Sequence, residues 1–345
     1  SATDRIEMVE MSTTGNAIDF GNLTQAIYSA PQGCGSFTRG LNGGGQTPTY
    51  LTTINSFNYG SLGNCIDFGD LTQARRLMAA FSDTQRGVWA GGITPTAQNT
   101  IDFVTISSFG NATDFGDLTE AKDSPQSGSD SHQGIEALTP RAPELYSPTG
   151  TVVPAGFGSG DIGIFNGGEA TTNVADFVQI STLGNAQDFG DLARTNDNGG
   201  AMANSTRYVT NGDNNADLNT YYVQFATKGN FAFFGDLTAQ RWLGGTGGDK
   251  TRGINYSGFQ SPGGSNNTID YCTFSTIGNF TDFGDANVSS YFAGGTCNST
   301  RTIKAGGIAT GPATLTDSME YVTTQSTGNG TDFGNLLAAN QSPTL

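Results

Sequence analysis

Gly110-Asn111-Ala112-Thr113-Asp114-Phe115-Gly116-Asp117-Leu118 decides the fold, because the chain writes it seven times. The pattern G-N-x-x-D-F-G-D-L begins at Gly15, Gly63, Gly110, Gly184, Gly229, Gly278 and Gly328. Successive copies are 48, 47, 74, 45, 49 and 50 residues apart. Five of the six spacings agree, so the unit is one repeat of roughly 48 residues, and self-similarity at such a period marks a repeat architecture. The spacing from Gly110 to Gly184 exceeds the others by about 26 residues, which places an insertion in one unit.

Working outward, three further elements complete the unit. Upstream of each copy stands an apolar stretch such as Ile101-Asp102-Phe103-Val104-Thr105-Ile106 or Ile269-Asp270-Tyr271-Cys272-Thr273-Phe274. Before that comes Gln85-Arg86-Gly87-Val88-Trp89-Ala90-Gly91-Gly92, echoed at Thr300 to Gly307. A run of small and apolar residues, such as Leu77-Met78-Ala79-Ala80-Phe81, links each D-F-G-D-L to the next unit. Naming these A (small), B (R-G-x-x-A-G-G), C (I-D-Y-V-T-I) and D (D-F-G-D-L) gives four short strands per unit, the arithmetic of a propeller blade. The C element is apolar on both faces, as a strand covered by neighbours on both sides must be. The expected fold is all-β: a seven-bladed β-propeller forming one domain over residues 1–345. Six A–D units are complete. The chain opens with C and D alone, at residues 4–23, and closes with residues 336–345, so the seventh blade is expected to be composite with a terminal A strand; the missing B strand means either that this blade has three strands or that the sequence is cut from a longer protein.

Composition agrees. Fifty of 345 residues are Gly and only 15 are Lys or Arg, a balance that suits strands and tight turns over helices. The net charge of −16 repels phosphate backbones and argues against nucleic-acid binding. No apolar run is long enough to cross a membrane as a helix. The chain opens on Ser1 with no visible signal peptide, which reads as processing or an excerpt. Cys34, Cys65, Cys272 and Cys297 form no C-x-x-C pair and sit at unequal repeat positions, so four free, mostly buried thiols are expected.

The order of double glycine, aromatic strand and a following strand near Arg, as in Leu71-Thr72-Gln73-Ala74-Arg75, resembles the kelch repeat. G-N-A-T-D-F-G-D-L-T together with T-R-G-V-x-A-G-G also resembles repeats in tail-fibre and other structural proteins of tailed phages, marine and cyanobacterial ones among them. The resemblance covers nearly the whole chain; Phe233 replaces the usual Asp, and the usual Arg is lost at Asp161. It implies a virion structural protein of the tail fibre, spike or another appendage. The implied partners are other virion proteins and a host-surface glycan or receptor, with homo-oligomerisation through regions outside this chain. A secreted or cell-surface bacterial adhesion module and a propeller glycosidase or lyase are the alternatives.

The repeated carboxylates Asp19, Asp67, Asp114, Asp188, Asp282 and Asp332 admit two readings. Pairs three apart suit Ca²⁺, a hard cation that takes oxygen ligands. They equally suit a structural task, accepting hydrogen bonds from turn amides or pairing with the repeated Arg39, Arg86, Arg207, Arg252 and Arg301. The structural reading is preferred: a group copied in every unit answers a need of every unit, and Asn22 and Asn335 replace the second Asp without loss of the motif. No metal or cofactor is expected. The D-F-G letters lack every other kinase element. The single His, His132, has no nucleophile elbow near it, so no enzyme is expected. Aligning residues 153–157 with strand A puts the insertion at about 123–150, between two blades. It would rise beside the longer B–C loops at 260–268 and 308–318. Its His132, Glu136, Arg141, Glu144 and Tyr146 are the candidate partner-binding residues, since long loops in compact folds commonly carry function.

Overall fold

The computed structural model describes residues 2–27, 32–83, 85–130, 161–168, 172–196, 199–211, 217–261, 263–309 and 313–340. Among the described residues every regular element is a β-strand. Sheet 1 has two strands, β1 (Thr3–Met8) and β2 (Ile18–Ile27). Sheet 2 holds β3 (Gln32–Gly35), β4 (Arg39–Gly43), β5 (Thr53–Asn58) and β6 (Ile66–Asp70). Sheet 3 holds β7 (Ala79–Ser82), β8 (Arg86–Ala90), β9 (Gln98–Thr105) and β10 (Thr113–Lys122). Sheet 4 holds β11 (Gln126–Ser129), β12 (Ile162–Asn166), β13 (Val174–Gln179) and β14 (Gln187–Asp191). Sheet 5 holds β15 (Gly200–Ala203), β16 (Arg207–Asn211), β17 (Asn219–Gln224) and β18 (Thr227–Asp236). Sheet 6 holds β19 (Gly245–Gly248), β20 (Arg252–Gln260), β21 (Gly264–Thr273) and β22 (Thr281–Asp285). A small sheet adds β23 (Ser290–Tyr291), paired with β26 (Ile308–Ala309) and β27 (Thr314–Leu315). Sheet 7 holds β24 (Gly294–Cys297), β25 (Arg301–Ala305), β28 (Ser318–Thr323) and β29 (Thr331–Asn335).

Within each four-stranded sheet the strands pair antiparallel in the order A, B, C, D. The first strands of sheets 2 to 7 adjoin one another in sequence and are rich in small residues, with Phe81 and Met202 as buried exceptions. Where glycine stands there is no room for more: a Cβ on Gly128 would lie 2.8 Å from the Tyr208 ring. The C strands carry the apolar load, with Ile54, Ile101, Ala175 and Ile269 fully buried between neighbouring sheets. Fully burying one such Ile side chain is worth about 1.5–3 kcal/mol.

The seam between neighbouring sheets explains the repeat signature. In six of the seven copies the Gly amide of G-N is seen to donate to the Phe carbonyl of the previous D-F-G, as Gly63 does to Phe20 at 2.8 Å, Gly110 to Phe68 at 2.9 Å and Gly184 to Phe115 at 2.9 Å. Each G-N asparagine accepts, through Oδ1, the amide that follows the previous D-F-G. Asn64 accepts from Asn22 at 3.0 Å, Asn111 from Asp70 at 3.1 Å, Asn185 from Asp117 at 3.2 Å and Asn230 from Asp191 at 3.1 Å. Asn279 and Asn329 do the same for Asp236 and Asp285. The D-F-G glycine lies against that seam. At Gly69, where φ is +148°, a Cβ would meet the Gly110 carbonyl oxygen at 2.3 Å, so only glycine fits.

The same set joins the last sheet to the first. Gly15 donates to Phe333 O at 2.7 Å, Asn16 Oδ1 accepts from the Asn335 amide at 3.0 Å, and a Cβ on Gly334 would lie 2.3 Å from Gly15 O. Ala17 packs in one cluster with Ile303, Ala305, Met319 and Phe333, with Val9 and Met11 against it. The sequence of sheet contacts therefore returns to its start. The terminal A strand expected over residues 336–345 is not found in its described part: residues 336–340 form no strand, and 341–345 lie outside the described residues. Instead Asn340 O accepts from Gly307 at 2.7 Å, and the Leu337 amide donates to Glu7 Oε2 at 2.8 Å.

The position of the insertion differs from the sequence expectation. Residues 126–129 are the first strand of sheet 4, paired with β12. The excess residues thus fall between Asp130 and Asp161, within the A–B hairpin of one sheet and not between two sheets. In sheet 3 the corresponding hairpin is closed by Asp83, whose Oδ1 accepts the Arg86 amide. Asp130 keeps that task, accepting the Ile162 amide at 2.9 Å. The lost Arg is also displaced by one residue: Ile162 faces Gln179 as Arg86 faces Thr105, so Ile162 holds the Arg position. Asp161 accepts instead from the Ser181 amide at 2.6 Å.

Candidate functional site

Each repeated carboxylate has an identifiable partner or position. The Oδ1 of Asp67, Asp114, Asp282 and Asp332 accepts the amide of its own D-F-G glycine at 3.0–3.1 Å. These are turn-capping bonds. Asp19 and Asp188 occupy the same exposed place on β2 and β14. Among the described residues no group of three or more His, Cys, Asp or Glu is gathered to hold a metal ion.

The expected pairing of these carboxylates with the repeated arginines is not what the fold uses. Arg39 donates to Ile106 O at 2.6 Å, Arg86 to Ile180 O at 2.6 Å, Arg252 to Thr324 O at 3.2 Å and Arg301 to Met11 O at 2.8 Å; Arg207 donates likewise to Phe274 O. Each reaches the next sheet around. Each guanidinium also lies 4.4–5.0 Å from an aromatic ring centroid, over Phe109, Phe103, Tyr222, Tyr271 and Tyr321. A planar, weakly hydrated cation suits both tasks.

A second set of ionic groups, unread in the sequence, lies buried between sheets. Arg75 follows strand D of sheet 2 and meets Asp102 of β9 at 2.6 Å, with both side chains fully buried. Thr72 Oγ1 donates to the same carboxylate, and Arg75 also donates to Thr100 O at 2.8 Å. Lys122 and Asp176 repeat the arrangement at 2.7 Å between sheets 3 and 4, with Thr119 as the hydroxyl. Arg241, Asp270 and Thr238 repeat it between sheets 5 and 6. Between sheets 6 and 7 the anion is Glu320, and its cation, Lys304 at 3.0 Å, comes from β25. Burial raises the Asp102 carboxyl pKa while the Arg75 charge pulls it down, and burial lowers that of Arg75. The spacing T-x-x-R/K after D-L, read together with I-D-F, is the signal that would have found these pairs.

Three junctions, the closing one included, lack such a buried pair among the described residues, and two of them show what replaces it. Between sheets 1 and 2 the cation position is Ile27 and the anion position is Asn55, which accepts from the Thr24 amide and hydroxyl at 2.9 and 2.7 Å. Between sheets 4 and 5 the positions hold Asn196 and Tyr221. There Asn196 Nδ2 donates to Thr210 at 2.8 Å, and Arg194 pairs with Asp217 nearer the surface. A cavity of about 10 Å³ remains, lined by Leu192, Asn196, Thr210, Asn211 and Tyr221 among others. Asn196 Oδ1 and Asn211 Nδ2 are buried there without a partner.

His132, Glu136, Arg141, Glu144 and Tyr146, the candidate binding residues, lie outside the described residues. Strands alternate direction, so the A–B and C–D connectors share one end of the sheets and the B–C and D–A connectors share the other. The hairpin holding the excess residues therefore opens on the end opposite to the loops at 260–268 and 308–318. Those two segments are themselves largely structured, as the long hairpin of β20 and β21 and as β26 and β27.

That elaborated end carries a row of aromatics. Trp242 and Phe259 exchange backbone hydrogen bonds at 3.0 and 2.7 Å, and their ring centroids are 5.1 Å apart. Phe259 contacts Tyr291 at 5.1 Å, and Tyr291 contacts Phe292 at 5.6 Å. The first three rings are half-buried and Phe292 is 38 % exposed. Ser265 lies directly across the ladder from Phe259, with its hydroxyl 2.6 Å from that of Ser289. At the other end, the large exposed residues Leu62, Phe109, Leu183 and Ile277 stand one per sheet before G-N, as separate tips.

All four cysteines are free, as expected; burial raises the thiols of Cys65 to about 11 and Cys272 to about 12, which keeps them protonated and unreactive. No helix among the described residues is long and apolar enough to cross a membrane. Compared with known proteins, the chain matches no family model, and no curated protein is significantly similar to it.

Proposed function

We propose that this chain is a seven-bladed, kelch-like β-propeller whose first blade takes its outer strands from β1 and β2, and that it is a non-catalytic attachment domain of a phage virion appendage. The observation that carries the architecture is the seam: one set of Gly, Asn and D-F-G contacts recurs between all neighbouring sheets and between the last and the first. Support for a binding role is the division of labour among polar groups. The repeated Asp caps its own turn, the repeated Arg staples the next sheet, and the Arg/Lys–Asp pairs are sealed inside. What exceeds the needs of the ring is one elaborated end, at sheets 6 and 7, with exposed aromatic surface.

The virion assignment rests on the resemblance of G-N-A-T-D-F-G-D-L-T to tail-fibre repeats. Within it the domain offers one end to a host-surface glycan or receptor and its flank to other virion proteins. Electron microscopy of the purified chain is expected to show seven radial densities; six or eight would refute the architecture. Immunogold labelling of phage particles with an antibody to the domain is expected to mark the tail or its fibres. Absence of label from particles, with label on bacterial envelopes, would turn the assignment to a cellular adhesion module.

A further inference from the structure

We infer that the row Trp242–Phe259–Tyr291–Phe292 is a binding site for neutral saccharides; the inference rests on the attachment reading above and assigns its ligand class. The four rings form one unbroken series of contacts at 5.1–5.6 Å, mutually tilted or edge-on. They come from three separate segments: the link from sheet 5 to sheet 6, the far end of β20, and the link from sheet 6 to sheet 7. The ring of sheets does not need them. Its own apolar contacts are made by the buried C-strand residues, and the corresponding links elsewhere carry Leu77 and Ser124 where Leu243 and Phe292 stand.

Phe292 takes the left-handed backbone position, φ +54°, that Leu77, Ser124 and Leu243 take in the corresponding links, and what is particular to it is a large ring held out at 38 % exposure. Ser290 and Tyr291 just before it pair with β26, so the segment is fixed on the extra sheet.

The chemistry of the row selects the ligand. Aromatic faces receive the apolar C–H faces of sugar rings, and the Ser265 and Ser289 hydroxyls at the border give and accept hydrogen bonds as sugar hydroxyls do. The rings and the bordering Ser265 and Ser289 carry no charge, the neighbouring Arg241 is sealed against Asp270, and the whole chain carries a charge of −16. An anionic polysaccharide meets that field unfavourably; a neutral one does not.

The two tryptophans make the site directly readable. Trp89 is fully buried and donates to Gln32 O at 3.0 Å, so an emission change on adding a saccharide reports Trp242. The purified chain is titrated with neutral oligosaccharides of glucose, galactose, mannose and fucose, and with counterparts bearing uronic or sialic acid. At least one neutral oligosaccharide is expected to change Trp emission saturably. Tyr291→Ala and Phe292→Gly should each weaken it roughly tenfold; glycine also relieves the strained backbone, so the second variant is expected to fold at least as well. Trp242→Phe should abolish the signal while calorimetry still detects binding. Unchanged unfolding midpoints establish that the variants are folded. The inference is overturned if no neutral oligosaccharide binds, if the acidic counterparts bind better, or if affinity survives both ring deletions. Cell binding that persists in the Tyr291 and Phe292 variants would leave the attachment reading standing and remove this site from it.

Discussion

Two junctions between neighbouring sheets solve one packing problem in opposite ways. Between sheets 2 and 3, Arg75 and Asp102 are sealed at 2.6 Å, with Thr72 and the Thr100 carbonyl adding hydrogen bonds and Arg75 Nε left without one. Between sheets 4 and 5, the same two positions hold Asn196 and Tyr221, and a small polar cavity remains. Outside these positions the junctions are alike. Asn111 accepts from the Asp70 amide at 3.1 Å, and Asn230 accepts from Asp191 at the same distance. The seam is therefore the constant part, and the buried seat behind it is exchangeable. Buried ion pairs are weak sources of net stability, since desolvation offsets most of their attraction. A seat can thus be refilled by a neutral set, as with Ile27 and Asn55, provided both members change together.

The sharpest way to break the comparison is at the constant part. Gly334→Ala and Gly69→Ala each drive a Cβ to 2.3 Å from a backbone oxygen. Each is expected to destabilise by more than about 4 kcal/mol in urea unfolding, at the exceptional end for a point change. If the closing junction is equivalent to an internal one, the two losses agree within about 1 kcal/mol. A much smaller loss at Gly334 would mean that the ring does not depend on its closure.

Next comes the seat. Arg75→Met leaves Asp102 buried without its cation and should cost about 3 kcal/mol, the lower end for such a break, because Thr72 still donates to the carboxylate. The double change Arg75→Ile with Asp102→Asn copies the junction of sheets 1 and 2 and should recover most of that loss. A double mutant no more stable than Arg75→Met would contradict exchangeability.

Asp130, at the base of the hairpin that holds the excess residues, tests the same idea with one charge. Burial raises its carboxyl pKa to about 6. A carboxyl whose folded pKa is raised leaves stability intact below the unfolded value near 4, and removes it as pH climbs to 6. Asp130→Asn keeps an acceptor for the Ile162 amide. It should raise stability by about 2 kcal/mol at pH 8 and by nothing at pH 3.5, read from unfolding at both pH values. An equal gain at both would show that ionisation is not the cause. The smallest effect is expected from Asn196→Arg with Tyr221→Asp, which installs the ion pair where it is lacking. A change within about 1 kcal/mol is expected in either direction, since the gain and the desolvation cost are similar.

The sequence displayed whatever is copied. The seven G-N-x-x-D-F-G motifs marked the outer strands, and the C strands were readable because both faces are apolar. Contacts between units were less legible, since a repeat shows what recurs and not what it touches. Arg86 and Asp114 recur together yet act separately, one on Ile180 O and the other on its own turn. Arg75 and Asp102, which do meet, stand in different elements 27 residues apart, and nothing in the repeat pattern by itself joins them. The insertion was misplaced for a related reason. Apolar character alone aligns residues 153–157 with strand A, but the first strands of the sheets need not be apolar: Gln126-Ser127-Gly128-Ser129 and Gly245-Thr246-Gly247-Gly248 fill that role. The aromatic row was invisible because its members belong to three links that resemble nothing else in the repeat.

The closing seam has a consequence during synthesis. Asn16 and Asn335 are 319 positions apart, so at roughly 5–20 residues per second the first unit waits on the order of 15–60 s for its last neighbour to leave the ribosome. Sheet 2 arrives early and covers one flank of β2. The other flank, with Gly15 and Asn16, stays open until the last D-F-G emerges, and each intermediate repeat presents a similar mate before then. The nascent chain must pass five near-correct partners of its own, and further ones on a neighbouring copy on the same message. Slower decoding before residue 335 would lengthen that exposure, and faster decoding would shorten it.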